Sequence, residues 1–234
     1  MFEKEILVPV GTWRAAALLH ELQELSGDAV AAAHATGAEL KPLGLMWVVV
    51  RYDLSLARPL RPGEALHCVT WANPFRHRMS QRNYVILDAA GDTVLQGAGI
   101  WAVADRESRT MIDPAERGVR FETELNGRES PRPGTPEKFP LTDECRYRVS
   151  DADLDMNGHM NNTRYFALAE SCIGEAAARA ALRRTRVVFL NEAVPDEELT
   201  VRWGADPEGE GARWYVTGTG RGRDCFQMGL EYFA

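Results

Sequence analysis

The alternation of hydrophobic and polar residues predicts a short strand, a long helix and four further strands in the first part of the chain. An alternating run at residues 3–10 precedes a segment rich in Ala, Leu and Glu, in which leucines recur at helical spacing across residues 12–35. Four runs rich in β-branched and aromatic residues come next, separated by turn signals that contain Gly or Pro. We place these strands at residues 45–56, 65–72, 82–89 and 93–103.

The same series of elements recurs in the second part of the chain. A short strand at residues 144–149 precedes an Ala-rich helix at residues 164–182, and four more β runs follow. These runs lie at residues 186–193, 198–203, 212–220 and 225–233. The repetition of one strand, one long helix and four antiparallel strands predicts a duplicated α+β unit.

One long helix can cover one face of a curled antiparallel sheet, which is the hot-dog arrangement. We therefore predict a tandem (double) hot-dog fold, with an N-terminal unit at residues 1–103 and a C-terminal unit at residues 141–234. The charged segment between them, residues 104–140, holds five prolines and little periodicity, as expected of a connector. A single unit would leave a sheet edge unpaired, so the two units should pair with each other.

Composition narrows the class of protein. The chain has 234 residues, of which 45% are hydrophobic and 26% charged, and this balance is typical of a globular protein. Its net charge of −7 argues against nucleic-acid binding, which needs clustered positive charge. Two basic runs, at residues 76–82 and 183–186, could bind an acidic protein, but solvated surface is the favoured interpretation of both.

The first residues carry acids and no long apolar core, so they resemble neither a secretory signal nor a transit peptide. No window approaches the roughly 18 uninterrupted apolar residues of a membrane helix. The four cysteines are scattered without a C-x-x-C pair, which is typical of reduced thiols. We expect a cytoplasmic protein without a membrane partner.

The stretch DLDMNGHMNNTRY, at residues 153–165, concentrates the candidate chemistry. A calcium loop is one interpretation, because Asp153, Asp155, Asn157 and Gly158 occupy positions 1, 3, 5 and 6 of an EF-hand. Position 12 of that loop should be a bidentate Glu, but this chain has Arg164. The preceding segment alternates as a strand, so the entering helix is also missing. The pattern therefore disfavours a metal.

Two further interpretations assign no catalytic or metal-binding role to this stretch. Residues 161–163 match the glycosylation acceptor triplet, but the chain shows no route to a secretory compartment. A purely structural role is stronger, because the Asn-Gly pair at 157–158 favours a turn and Asn161 or Asn162 would cap the helix that follows. This role does not explain why an acid and a histidine flank the same turn.

A catalytic interpretation accounts for all of these residues. Asp155, Asn157 and His159 alternate, so an extended or gently curved loop would direct them to one side. The helix that follows presents backbone N–H groups and a positive dipole end to the same region. Such a site could hold the oxygen of a polarised carbonyl, and a histidine beside carboxylates is suited to general-base catalysis.

The same stretch resembles the active-site segment of acyl-acyl carrier protein (ACP) thioesterases, the double hot-dog enzymes of plant plastids and bacteria. In that family an Asp-x-Asn-x-His-x-Asn-Asn-x-x-Tyr pattern opens the helix of the second unit. The matching residues in this chain are Asp155, Asn157, His159, Asn161, Asn162 and Tyr165. Three segments of the first half also resemble the family, at residues 19–24, 46–56 and 100–105.

The resemblance implies hydrolysis of the thioester of a fatty acyl chain carried by ACP, with ACP as the partner and with no metal or cofactor. It assigns catalysis to Asp155, Asn157, His159 and Glu192. It assigns substrate contacts to Gly158, Asn161, Asn162, Tyr165 and Trp47. By the same resemblance the first unit cradles the acyl chain. A homodimer is a separate expectation, which the sequence itself does not fix.

The resemblance also places Glu192 on the strand after the second helix. Many relatives carry a cysteine directly after this glutamate, whereas this chain has Ala193, so a thiol nucleophile at this position is excluded. Water or the Asp155 carboxylate remains as the attacking group.

Three alternatives remain. An acyl-CoA thioesterase would use the same residues, and a non-catalytic acyl-thioester-binding protein would have the same fold. A serine hydrolase is disfavoured, because no G-x-S-x-G motif occurs in the chain.

Overall fold

The computed structural model describes residues 1–8, 14–121, 131–209 and 212–233. Its helices are α1 (Ala15–Ala32), α2 (Gly37–Leu40), α3 (Asn162–Ile173) and α4 (Glu175–Arg179). Its strands are β1 (Phe2–Leu7), β2 (Leu45–Leu56), β3 (Ala65–Ala72), β4 (Met79–Leu87), β5 (Thr93–Asp105), β6 (Met111–Ile112), β7 (Asp143–Arg148), β8 (Leu182–Phe189), β9 (Glu198–Ala205), β10 (Arg213–Gly220) and β11 (Arg223–Tyr232). The predicted start of the first helix at residues 12–13 and the middle of the predicted connector lie outside the described residues.

The strands form one antiparallel sheet in the order β1-β3-β4-β5-β2-β8-β11-β10-β9-β7, with β6 paired to β5. Strand β2 pairs with β8 from Arg51↔Val188 to Ser55↔Arg184, and this ladder joins the strands of the first half to those of the second. Each half thereby covers the edge that it would otherwise leave unpaired. The predicted association of the two halves within one chain is confirmed.

Helices α1 and α3 contact each other and share one hydrophobic cluster with the sheet. Leu19 and Leu22 of α1, Phe166 of α3, Tyr52 of β2 and Phe226 of β11 are at most 1% exposed. The leucine spacing read from the sequence is therefore the buried face of α1. Two helices packed against strands of a shared antiparallel sheet make the architecture α+β, in the tandem hot-dog arrangement.

The described residues include no helix that combines the length and the apolar composition needed to cross a bilayer.

Most predicted bounds shift by a few residues, and the largest differences lie at the end of the second long helix and at the strand that follows it. The Ala-rich helix stops at Gly174, whose φ of 69° cannot continue an α-helix, and a short α4 follows. Strand β8 then begins at Leu182 and ends at Phe189, four residues earlier than predicted at both ends. The placement of Glu192 on this strand is therefore wrong, because it lies in the turn after β8.

The basic run at residues 183–186 is not simply solvated surface, as was predicted. Arg184 lies 3.0 Å and Arg186 3.6 Å from the Asp53 carboxylate, which the fold places on the neighbouring strand β2. Because ladder pairing opposes Asp53 to Arg186, these charges face one another across the seam between the two halves.

A buried carboxylate also joins the two long helices. Glu170 of α3 is 2% exposed and accepts the backbone N–H of Ala15 at 2.9 Å and that of Ala16 at 3.4 Å. These are the first amides of α1, which have no partner within their own helix. Burial raises the pKa of the Glu170 carboxyl, and the two amides act in the opposite direction.

We expect Glu170→Ala to lower the free energy of unfolding by about 1–3 kcal/mol, because it leaves buried amides without an acceptor. Glu170→Gln removes the charge and one of the two acceptor oxygens but keeps the other for the N–H of Ala15, so its loss should be smaller. Urea denaturation of the two variants measures the difference. Equal losses would show that the cap of α1 contributes nothing.

Candidate active site

The loop before α3 is closed by its own backbone. Leu154 and Met160 form a β-bridge, and the N–H of Asp155 donates to the carbonyl of His159 at 2.8 Å. Gly158 has a φ of 78°, a conformation that favours glycine, and its N–H donates to the Asp155 carbonyl at 3.0 Å. The loop is therefore a tight turn with Asp155 and His159 directly across from each other.

The Asp155 side chain stabilises this turn. Its Oδ1 accepts the backbone N–H of Asn157 at 2.7 Å and that of His159 at 3.4 Å. Its Oδ2 accepts from the Asn157 side chain at 3.4 Å. Both carboxylate oxygens are thus engaged by the residues of their own loop.

Asp153 anchors the loop to the protein and is 1% exposed. Its carboxylate accepts from Tyr147 Oη at 2.8 Å, from the N–H and hydroxyl of Ser150 at 2.9 and 2.8 Å, and from Arg164 Nε at 2.9 Å. Burial acts to raise the pKa of Asp153, but these donors outweigh it and hold that pKa below its ordinary value. Because Arg164 supplies the cation, the first and twelfth positions of a calcium loop are already paired with each other.

Helix α3 begins directly after this loop. Asn161 is its N-cap, and its carboxamide oxygen accepts the N–H of Thr163 at 2.9 Å. Asn161 lines neither of the cavities described below, so we assign it to the helix cap rather than to substrate. The backbone N–H of Asn162 has no hydrogen-bond partner in the described part of the chain.

Glu192 reaches the loop from the second half of the sheet. Its Oε2 lies 3.2 Å from His159 Nε2, although 33 positions separate the two residues in sequence. The imidazole side chain is 13% exposed and the carboxylate side chain 40%. The structure therefore brings together the histidine and the glutamate that the sequence suggested as a pair.

The backbone of Ala193 holds the two segments in register. Its carbonyl accepts the N–H of Met160 at 2.9 Å, and its N–H donates to the Tyr165 hydroxyl at 3.2 Å. Burial raises the pKa of Tyr165, which keeps the hydroxyl neutral, and its ring packs against Phe189 and Phe226. Tyr165, predicted as a substrate contact, thus also supports the turn that carries Glu192.

Two arginines of the site were missed by the sequence analysis. Both lie in the turn between β5 and β6, at the start of the predicted connector. Arg106 Nη1 donates to Asn157 Oδ1 at 3.0 Å, and Arg109 Nη1 lies 3.3 Å from Glu192 Oε2. Nothing in the sequence of a charged turn indicates that its side chains will contact residues of the other half of the chain.

Two adjoining cavities surround these residues. The first, of about 350 Å³, is lined by Asp155, Asn157, His159, Asn162 and Glu192 among others, and we call it the polar cavity. The second, of about 440 Å³, lies over α1 and β4 and has mostly apolar walls, and we call it the apolar cavity.

Trp47 lines both cavities, as do Met46 and Asn157. Its indole Nε1 donates to the Ala35 carbonyl at 2.8 Å, which fixes the ring between them. Trp47 was predicted to contact substrate, and this position is compatible with that role. Gly158 supplies the backbone turn and lines neither cavity.

The chain was compared with known protein families. Residues 10–116 match the model described as the acyl-ACP thioesterase N-terminal domain, and residues 139–222 match that of the C-terminal domain. The two matches follow one another along the chain in the order of that family.

Curated relatives are plant proteins. Oleoyl-acyl carrier protein thioesterase 1 of Arabidopsis thaliana, described as chloroplastic, is 26% identical over 56% of this chain and 40% of its own length. Palmitoyl-acyl carrier protein thioesterase of Cuphea hookeriana, also chloroplastic, is 24% identical over 74% of this chain and 44% of its own length. The chain thus spans less than half the length of these relatives.

Solved structures share the fold over nearly the whole chain. An acyl-ACP thioesterase from Bacteroides thetaiotaomicron superposes with a TM-score of 0.77, 16% identity and coverage of 99% of this chain and 97% of that one. The 12:0-ACP thioesterase from Umbellularia californica gives a TM-score of 0.81 at 15% identity, with coverage of 99% and 96%.

The hydrogen bonds and ion pair of Asp153 predict how the free energy of unfolding changes with pH. Its pKa lies below the ordinary 3.8, so the carboxylate stabilises the fold above that pH and the contribution disappears as pH falls through the lowered value. We expect Asp153→Asn to lose about 2–3 kcal/mol of unfolding free energy at neutral pH and progressively less in acid. Denaturation curves across pH measure this, and a difference independent of pH would contradict it. Added calcium should change neither midpoint.

Proposed function

The chain belongs to the acyl-ACP thioesterase family, and we propose that it hydrolyses the thioester between a fatty acyl chain and ACP. The products are a free fatty acid and ACP with a free thiol, so the reaction ends chain elongation. The observation that carries this proposal is the contact of 3.2 Å between His159 and Glu192, in a polar cavity that adjoins an apolar one.

His159 and Glu192 form the base. The Glu192 carboxylate lies 3.2 Å from Nε2 of the imidazole, and in this proposal it keeps the proton of the neutral ring on Nε2, which leaves the lone pair on Nδ1. Nδ1 has no partner among the described residues and takes a proton from a water molecule as its oxygen attacks the thioester carbon. When the C–S bond breaks, the imidazolium returns that proton to the sulfur.

Asn157 and the start of α3 stabilise the negative oxygen that forms during attack. The Asn157 carboxamide lines the polar cavity, and its Oδ1 is held by Arg106. The free N–H of Asn162 lies at the positive end of the α3 dipole. One such donor is worth about 2.7–4 kcal/mol in other hydrolytic enzymes.

Water is the attacking group in this proposal. The Asp155 carboxylate already accepts hydrogen bonds from its own loop at both oxygens, which lowers its reactivity as a nucleophile. Ala193 is 0% exposed and carries no thiol. Asp155 therefore orients Asn157 and His159 and does not become acylated.

We assign the acyl chain to the N-terminal unit at residues 1–103 and catalysis to the C-terminal unit at residues 141–234. The apolar cavity is built around α1, β2 and β4 of the first unit and meets the polar cavity at Trp47. The connector at residues 104–140 contributes Arg106 and Arg109 to the catalytic residues.

We further propose that the protein acts in the cytoplasm of a bacterium, within fatty acid biosynthesis, and that it needs neither a membrane nor nucleic acid. Homodimerisation stays a prediction. Acyl-CoA hydrolysis is the second candidate, because the residues of the polar cavity would act on either thioester.

His159→Ala should lower kcat by about a hundredfold or more and leave the fold intact, because it removes the proton acceptor. Release of free thiol from acyl-ACP measures the rate, and circular dichroism checks the fold. Near-normal turnover by this variant would show that His159 is not the proton acceptor.

Arg109→Gln should lower kcat about tenfold with little change in KM. The reason is that Arg109 pairs with Glu192 and does not line the apolar cavity to which we assign the acyl chain. Arg146→Gln is the matched control: Arg146 forms an exposed ion pair with Glu198, away from both cavities, and should leave both constants unchanged. A rise in KM alone would assign Arg109 to substrate binding.

One panel of matched acyl-ACP and acyl-CoA thioesters separates the candidate functions. Faster release from ACP supports the proposal, and faster release from CoA supports the second candidate. Binding without release of thiol, unchanged by His159→Ala, would identify a non-catalytic binding protein.

A further inference from the structure

Arg82 occupies a core-facing position in β4. Side chains alternate along a strand, so Arg82 shares the face of Ser80, Tyr84 and Ile86, which are at most 5% exposed. Of these residues, Ser80 and Arg82 line the apolar cavity beside α1. The predicted solvated surface at residues 76–82 is therefore wrong for its last residue.

The guanidinium of Arg82 has no carboxylate partner in the described residues. Its one hydrogen bond goes from Nη1 to the Thr70 hydroxyl at 3.3 Å. By contrast, Arg58, Arg164 and Arg184 are each within 3.1 Å of a carboxylate. Burial lowers the pKa of Arg82, the neighbouring Tyr84 and Tyr52 offset this only in part, and no Asp or Glu contributes. Arg82 is half-buried, and a partly desolvated cation without a counter-ion is costly, so this one is available to an external acceptor.

The charged side chains in the described walls of the apolar cavity are all cationic. Its described walls contain Lys41, Arg82 and Arg106 and no Asp or Glu, although the chain as a whole carries a net charge of −7. Lys41 is exposed and Arg106 is engaged with Asn157, which leaves Arg82 as the inward-facing cation.

Further donors surround Arg82. The Trp101 ring lines the same cavity, and its buried Nε1 interacts with the Tyr84 hydroxyl without forming a well-aligned hydrogen bond. Ser26, also in the wall, bonds the Tyr84 hydroxyl at 2.8 Å. A purely hydrocarbon ligand would leave the remaining N–H donors of Arg82 unsatisfied among mostly apolar walls, which is unfavourable.

We propose that the preferred substrate is an acyl thioester whose far end carries a carboxylate, and that Arg82 binds this carboxylate. This inference rests on the proposed function. It requires that the thioester lies in the polar cavity and that its acyl chain extends past Trp47 into the apolar cavity. A guanidinium matches a carboxylate with two parallel hydrogen bonds, and the apolar walls strengthen that pairing. Arg82 is thus a specificity-determining residue.

The test compares thioesters of equal carbon number with unsubstituted, ω-hydroxy and ω-carboxy chains. We expect the wild-type protein to favour the ω-carboxy chain by at least about tenfold in kcat/KM. Arg82→Met, which has a similar apolar stem, should reverse this order in favour of the unsubstituted chain. Arg76→Met is the matched control from the same basic run; Arg76 is exposed, lines neither cavity and should retain the wild-type order.

Thermal unfolding provides a readout that does not depend on turnover. Arg82→Met should unfold at or above the wild-type temperature, because it removes an unpaired cation. A free α,ω-dicarboxylic acid should stabilise the wild-type protein more than a monocarboxylic acid of the same length, and Arg82→Met should abolish that difference.

Each outcome has one meaning. Equal hydrolysis of all three chains by the wild-type protein, or an unchanged order in Arg82→Met, overturns the inference and leaves the thioesterase proposal standing. A preference for the ω-hydroxy chain overturns the carboxylate assignment. Absence of all hydrolysis overturns the thioesterase proposal, and the dicarboxylic acid measurement then decides the role of Arg82 by itself.

Discussion

Pairing between β2 and β8 is the constraint on which the rest of the structure depends. The ladder runs from Arg51↔Val188 to Ser55↔Arg184, so the first residues of β2 extend beyond the end of β8. Trp47 and its neighbours therefore lie beside the turn that carries Glu192. Because β5 pairs with the start of β2, the turn with Arg106 and Arg109 reaches the same place. The two ladders of β2 thus bring three separate segments to one site.

The charges of the site are held by a small number of direct contacts. Glu192 is placed between His159 and Arg109, and Asp155 is engaged by the N–H groups of its own turn. Asp153, below the turn, is paired with Arg164. Each carboxylate therefore has its own donors, which keeps the acids from competing for the imidazole and fixes the geometry before substrate binds. Arg82 lacks such a partner and stands apart from this network.

Much of the fold follows from local patterns. The strands at 45–56 and 65–72 have the predicted bounds, because alternation and turn residues act over a few positions. The start of β8 was predicted four residues late, since the Ala-rich segment favours a helix locally and only pairing with β2 and β11 makes it a strand. Local propensity does not reflect pairing with a strand that lies more than a hundred residues away in the sequence.

The sequence by itself determined the duplicated α+β architecture and the Asp-Asn-His turn, because periodicity, a glycine turn and a helix cap are written in consecutive residues. The family resemblance suggested that Glu192 acts with His159, but only tertiary structure decided how the two come into contact. Tertiary structure alone decided that Arg106 and Arg109 reach this site and that Arg82 faces inward without an acid. These contacts depend on strand register and on which faces are buried. Both are set by packing between distant segments rather than by neighbours along the chain.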